Sequence, residues 1–291
     1  MSKPIKKAVL IAGGYSTRML PFTRCIPKEL LPLNGTPVIQ ILINECILAG
    51  IEDIYIITRP DNTLLEDYYK ENKKYEAYLK QHNKIEYLER FNVSYPKNVN
   101  VEFIQEDESL PYGDALGLLM VKEKLREEDK FLVLFADDII FDTSSSVKKL
   151  IMHAEKSESV VTLSIAEKEP NEMLSFGNIY LSNHKTGQLS HIVRKPVSGN
   201  ISTNLVMCGQ TVLSNIIYDY YEKFDFNAHP ELDTAITVSN LAKEYFVDTV
   251  KVSGHWATVG DPQNYLRANL ARHIYTGNLS KVEIINYINK L

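Results

Sequence analysis

The stretch Ala8–Leu33, AVLIAGGYSTRMLPFTRCIPKELLPL, decides how the rest of the chain is read. Ala8-Val9-Leu10-Ile11-Ala12 is an unbroken apolar run of the kind found in a strand buried on both faces of a parallel sheet. It stops at Gly13-Gly14, where a chain can turn sharply and bring its backbone N–H groups close to a ligand. Thr17, Arg18, Arg24 and Lys28 follow in an irregular segment punctuated by Pro21, Pro27 and Pro32. A glycine turn after a buried strand, followed by cations, suits a polyphosphate. Neither the P-loop G-x-x-x-x-G-K-S/T nor the dinucleotide G-x-G-x-x-G is present.

Outward from this segment, Pro37–Gly50 has helical spacing with a glycine stop, and Ile54–Thr58 reads as a second strand. Strand, helix, strand predicts a right-handed βαβ unit and a doubly wound, Rossmann-like α/β sheet. Residues 61–95 are polar and predict outer helices; Val99–Gln105 and Lys130–Phe135 read as strands around a helix at Gly113–Leu125. A helix at 144–156 and a strand at Ser159–Ile165 come next. Gly177–Leu181, Leu189–Arg194 and Asn204–Leu213 then form strands without intervening helices, which predicts an antiparallel section able to carry a second substrate. Helices at 214–223 and 231–244, a strand at Val247–Val252, a loop at 254–262 and two C-terminal helices complete the reading. One domain is expected over 1–291, in three parts: a first part (1–142), a second that holds the antiparallel section (143–262) and C-terminal helices (263–291). The apolar final segment, Val282–Leu291, offers a partner surface for a homo-oligomer or core packing.

A net charge of −5 argues against nucleic acid or an anionic membrane as the main partner. Hydrophobic content of 44% is enough for a real core. Cys25, Cys46 and Cys208 are widely spaced and form no metal motif, so they read as free thiols of a reducing compartment. With no h-region near Met1 and no apolar run of about 18 residues, a soluble, cytoplasmic protein is expected.

Asp137 and Asp138 lie just past a predicted strand's carboxyl end, where ligands collect in open α/β sheets. A carboxylate there suits Mg²⁺, which takes one or two carboxylates together with phosphate oxygens and water; an Asp pair capping a turn is the plainer alternative. His255-Trp256 reads as a packing pair, since no Ser or Cys nucleophile motif accompanies it.

The segment at 13–32 resembles the signature loop of sugar-nucleotide pyrophosphorylases, G-G-x-G-T-R-L/M-x-P-x-T-x-x-x-P-K-x-L/M-x-P. It matches at Gly13, Gly14, Thr17, Arg18, Met19, Pro21, Thr23, Pro27, Lys28, Leu30 and Pro32, with Ser16 in place of a glycine. Over nearly the whole chain the sequence resembles bacterial-type UTP–glucose-1-phosphate uridylyltransferases. Phe135-Ala136-Asp137-Asp138-Ile139 resembles their L-G-D-D-I/V, and Val193-Arg194-Lys195-Pro196 resembles V-E-K-P.

The resemblance implies a glycosyltransferase-A-like nucleotidyltransferase fold and the formation of a UDP-sugar, UDP-glucose first among them, with pyrophosphate, from UTP and a sugar 1-phosphate. It implies catalytic roles for Arg18, Lys28 and Lys195, and nucleotide binding by Ala12, Gly13, Gly14, Thr17, Gln105 and Gly113. Sugar binding falls to Gly177, Arg194 and Asn204, and Asp137 becomes the Mg²⁺ ligand, with Asp138 a possible helper. Two departures stand out. Arg194 replaces a glutamate that meets sugar hydroxyls, which would suit an acidic sugar. Thr258 replaces the second metal aspartate, with Asp261 as a candidate substitute. The alternatives are therefore an enzyme for a different sugar 1-phosphate, or an impaired regulatory paralogue that binds nucleotide or sugar nucleotide.

Overall fold

The computed structural model describes residues 3–60, 62–91, 95–110, 112–194, 196 and 201–290. Its strands are β1 (Lys7–Ala12), a two-residue pair β2 (Pro32–Leu33) and β3 (Thr36–Pro37), β4 (Asp53–Thr58), β5 (Asn100–Gln105), β6 (Lys130–Phe135), β7 (Asp138–Phe141), β8 (Val161–Glu167), β9 (Asn178–Asn183), β10 (Gln188–Val193), β11 (Leu205–Ser214), β12 (Val247–Lys251) and β13 (His255–Thr258). The main sheet runs β10-β9-β11-β6-β1-β4-β5, with β8 on the other side of β11 and β12 beside β8. β6, β1, β4 and β5 are parallel to one another, whereas β11 is antiparallel to β6, β8 and β9. The expected α/β doubly wound mixed sheet with an antiparallel section is what the chain forms.

The apolar runs are explained by burial on two faces. Ala8, Leu10, Ile54, Ile56, Leu132 and Leu134 face one core with the helices Val38–Ala49, Ser146–Lys156 and Pro262–Tyr275. Val9, Tyr55, Ile57, Phe131 and Val133 face the other with Leu116–Met120, Ile217–Tyr221 and Thr234–Leu241. Alternate residues of each strand thus serve opposite layers, so no polar position interrupts the run.

Several boundaries differ from expectation. The helix expected from Gly113 starts at Leu116 and divides at Val121 into 116–120 and 122–125. That expected at 231–244 starts at Thr234, because Asp233 accepts the Ile236 N–H as its N-cap. The loop expected at 254–262 instead contains β13, paired antiparallel with β7 and setting Thr258 opposite Asp138. A four-residue pair outside the main sheet leaves little periodicity to read. The final helix, Lys281–Ile288, contains no buried residue; Val282, Ile285, Tyr287 and Ile288 are exposed, so core packing is not its role here. Among the described residues no helix is long and apolar enough to cross a membrane.

Candidate active site

Three single-turn 3₁₀ helices, Thr17–Met19, Phe22–Arg24 and Lys28–Leu30, make up the loop after β1. Pro21 and Pro27 sit at the start of the second and third turns, where the missing N–H is harmless and continuous helix is broken. Ser16 has φ +54°, the left-handed region, which explains why glycine is the motif residue there. Its hydroxyl donates to the Gly14 carbonyl at 3.2 Å and its carbonyl accepts from the Thr23 hydroxyl at 2.9 Å.

This loop delivers Lys28 to the carboxyl ends of the parallel strands, where its Nζ donates to Asp137 Oδ2 at 2.6 Å. Burial works against the lysine's charge, but Asp137, Glu29 and Asp138 outweigh it and raise its pKa. Asp137 occupies the turn between β6 and β7, and its carbonyl accepts from the Val259 N–H at 2.8 Å, which ties that turn to the end of β13. Gly260 is the close-approach point. A Cβ there would lie 2.8 Å from Arg18 Nη2, and 3.5 Å from both Asp137 Oδ2 and Thr258 Oγ1. Arg18, Lys28, Asp137 and Thr258, distant in sequence, therefore converge.

Asp138 crowds Gly209, where a Cβ would lie 2.6 Å from its Oδ2. Burial and the charge of Asp137 push its pKa to about 7, against the pull of Thr258 and Lys28. Asp261 is committed elsewhere. It caps the helix Pro262–Tyr275, accepting from Asn264 N at 2.9 Å and Asn264 Nδ2 at 2.7 Å, with Arg18 at 3.9 Å.

The strand register sets Ala12, Thr58 and Gln105 side by side at the carboxyl edge, with Gly13 and Gly14 following directly. Thr17 and Gln105 are exposed there. Gly113 has φ +151°, and a Cβ on it would lie 2.0 Å from the Leu232 carbonyl oxygen. Gly113→Ala is expected to cost about 3 kcal/mol, since neither the backbone angle nor a backbone oxygen can yield cheaply. Urea denaturation would check this, and a loss under about 1 kcal/mol would contradict it.

Of the three residues that the resemblance assigns to a sugar, Gly177 and Arg194 line one cavity of about 110 Å³ together with Asp114 and Asp138. Asn204 is not brought to it and opens onto a separate cavity beside Tyr180 and Leu205. Lys195 lies outside the described residues. Trp256 packs edge-on against Phe176, with Lys168 4.9 Å from its ring centre, in keeping with a packing role.

Four acidic residues around this site escaped the sequence reading. The Glu106 carboxylate lies over Gly13, 2.0 Å from where a Cβ would be, so a side chain at 13 would have to displace it. Asp114 and Asp233 hold Arg194. Glu29, 1% exposed, has no hydrogen bond from another residue to either oxygen among the described residues, and burial pushes its pKa to about 7. Because the folded state keeps this proton after the unfolded chain releases it near 4.5, stability falls as pH rises from about 4.5 to about 7. The loss amounts to up to about 3 kcal/mol. Glu29→Gln should lack that slope and be about 2 kcal/mol more stable than wild type at pH 8, as read by urea midpoints at pH 5.5 and 8. Parallel slopes for the two proteins would refute it.

A lysine held against a carboxylate, with an arginine beside it, at the end of a glycine turn on a doubly wound sheet is a setting suited to nucleotide phosphates. The nucleotidyl transferase family model matches residues 7–273, and the chain belongs to that family. Within it, the chain is similar to UTP–glucose-1-phosphate uridylyltransferases. That of Haemophilus influenzae is 28% identical over 294 residues, covering 98% of each chain. Uridylyltransferase 1 of Staphylococcus saprophyticus is 27% identical over 290 residues, covering 98% of this chain and 99% of its own. Among solved structures, a UDP-glucose pyrophosphorylase from Acinetobacter baumannii superposes with a TM-score of 0.84 at 25% identity, covering 98% of this chain and 99% of its own. A UTP-bound form from the same organism gives 0.83 at 25% identity, covering 99% of both chains.

Proposed function

We propose that this protein transfers a uridylyl group from UTP to a sugar 1-phosphate, glucose 1-phosphate first among candidates, releasing pyrophosphate. The observation that carries the reading is the Lys28–Asp137 pair at the mouth of the Gly13-Gly14 turn. A sugar phosphate oxygen attacks the α-phosphorus, a new P–O bond forms, and the bond to the bridging α–β oxygen breaks. The attacking phosphate is already ionised at neutral pH, so no general base is required. Catalysis is then alignment plus neutralisation of charge. Lys28 and Arg18 face the triphosphate and the leaving pyrophosphate. Lys195, by the motif it belongs to, holds the sugar phosphate. Gln105 and Gly113 read the base, while Ala12, Gly13, Gly14 and Thr17 line its phosphates.

The donor set fits Mg²⁺ carried in with the nucleotide. Asp137 offers a hard anionic oxygen and Thr258 a neutral one, and Mg²⁺ asks for only one or two carboxylates. Among the described residues no group of three acidic or other metal-binding side chains gathers. When bound, the ion would supply neutralisation of the phosphate charge.

A second reading, nucleotide binding without turnover, draws on Thr258 alone. Pyrophosphate release with UTP, Mg²⁺ and glucose 1-phosphate separates the two. Turnover establishes the transferase; UTP binding with no pyrophosphate from any sugar 1-phosphate leaves the regulatory paralogue.

A further inference from the structure

The cavity beside the reacting centre is lined by Asp114, Asp138, Gly177, Arg194, Cys208 and Thr234, among others. Asp138 directly follows Asp137, so a group attached to a phosphate held near Lys28 and Asp137 would project into this space. Taken alone, Arg194 is a receptor for an acid. Its surroundings change that reading.

Arg194 Nη1 hydrogen-bonds Asp233 and lies 3.5 Å from Asp114 Oδ2. The two carboxylates come from different elements. Asp114 lies before the helix Leu116–Met120, and Asp233 caps Thr234–Leu241. Asp114 Oδ1 accepts from the Thr234 N–H at 2.8 Å, and Asp233 Oδ1 accepts from Ile236 N at 3.0 Å, so both are fixed before any ligand arrives. One cation against two carboxylates leaves the trio at −1. Both contacts use one guanidinium nitrogen of a fork that carries five N–H donors, so the side chain has donors for neutral oxygens as well. The carboxylate oxygens likewise can accept from hydroxyls. Donors and acceptors of both kinds with no surplus positive charge describe a receptor for hydroxyls rather than for an anion.

Building on the uridylyltransferase reading, we propose that Arg194, Asp114 and Asp233 form a charge filter: the protein accepts hexose 1-phosphates whose ring substituents are neutral and rejects those carrying a ring carboxylate. The sugar specificity is thus the reverse of what the lone Glu-to-Arg exchange suggests.

The test compares glucose 1-phosphate, glucosamine 1-phosphate and glucuronic acid 1-phosphate with UTP and Mg²⁺, for wild type, Asp114→Asn and Asp233→Asn. Asparagine keeps the capping acceptor at 233 and the acceptor for Thr234 N–H at 114. The filter predicts a kcat/KM for glucuronic acid 1-phosphate about 100-fold below that for glucose 1-phosphate, with glucosamine 1-phosphate not penalised by its charge. Each asparagine variant should raise the glucuronic-to-glucose ratio by about tenfold. A purely structural ion pair would lower activity toward all three sugars together and leave the ratio unmoved. Glucuronic acid 1-phosphate used as well as glucose 1-phosphate, or ratios unchanged in both variants, would overturn the filter. Absence of turnover with all three sugars sinks the transferase reading alone, and the filter is then read from calorimetric binding in the presence of UTP. The same order of affinities would uphold it, whereas the reverse order or no binding would not.

Discussion

Exchange of Lys28 for methionine is expected to lower the rate of pyrophosphate release by about 10³-fold while the protein remains folded. The ammonium donates to Asp137 at 2.6 Å, and its side chain is only 13% exposed, so water cannot take over its role. A fixed charge in such a site is already oriented before the triphosphate arrives. It needs no reorganisation as negative charge shifts toward the leaving group, which is why removing one such donor costs two to three orders of magnitude in comparable sites, about 3–4 kcal/mol. The charge is also secure. Its carboxylate neighbours raise the lysine pKa, so it stays protonated across the neutral range and well into alkaline pH. Stability should change far less than activity, because Asp137, the partner left behind, is 22% exposed and can be hydrated. The measurement is kcat from a pyrophosphate assay, with the Kd for UTP and a melting curve on the same sample. A fall mainly in kcat marks a group acting on the transition state. A kcat within about tenfold of wild type would remove Lys28 from the catalytic set.

The framework around that lysine was legible because each cue was local. The run Ala8–Ala12 is apolar on both faces because two separate cores claim alternate residues, and the glycine turn that follows it lies directly under the Glu106 carboxylate. Even the departure at Ser16 reads correctly, as a left-handed position filled by a residue that tolerates it less well than glycine. What stayed hidden depends on tertiary contact. Nothing in Arg194's neighbourhood along the chain announces Asp114 or Asp233, which reach it from two other elements, and together they reverse its electrostatic meaning. Asp261 lies close to Thr258 in sequence, yet its oxygens cap a helix. Asn204, which the resemblance assigns to a sugar, faces another cavity. β7 and β13 were missed because each is four residues long, and their pairing, which fixes Asp138 opposite Thr258, joins segments far apart in the chain.

That pairing makes Thr258→Asp the most informative single change in the metal half of the site. The new carboxylate would stand opposite Asp138 and close to Asp137, which already push Asp138 to about 7 through burial and mutual repulsion. Without a divalent ion, a third negative charge here is expected to destabilise the protein by about 1–2 kcal/mol at pH 8. The sign follows from proton binding: the folded state holds protons that the unfolded carboxylates release near pH 4, so the penalty grows as pH rises toward the folded pKa. Mg²⁺ should reverse it. Wild type offers one available anionic ligand and a neutral hydroxyl, and should gain little thermal stability from millimolar Mg²⁺ alone. The variant should gain several degrees, since an ion that binds only the folded state stabilises in proportion to the logarithm of its occupancy. Half-saturation of the Mg²⁺ effect should fall by about tenfold or more. Melting curves with and without Mg²⁺ and UTP read this without any need for turnover, and identical Mg²⁺ responses in the two proteins would refute it. The rate then carries a separate meaning. A large gain in pyrophosphate release would mark Thr258 as the weak point of the active site. An unchanged or lower rate alongside tighter Mg²⁺ binding would mean that Asp137 and the triphosphate suffice, and that the site works with the charge balance threonine gives it.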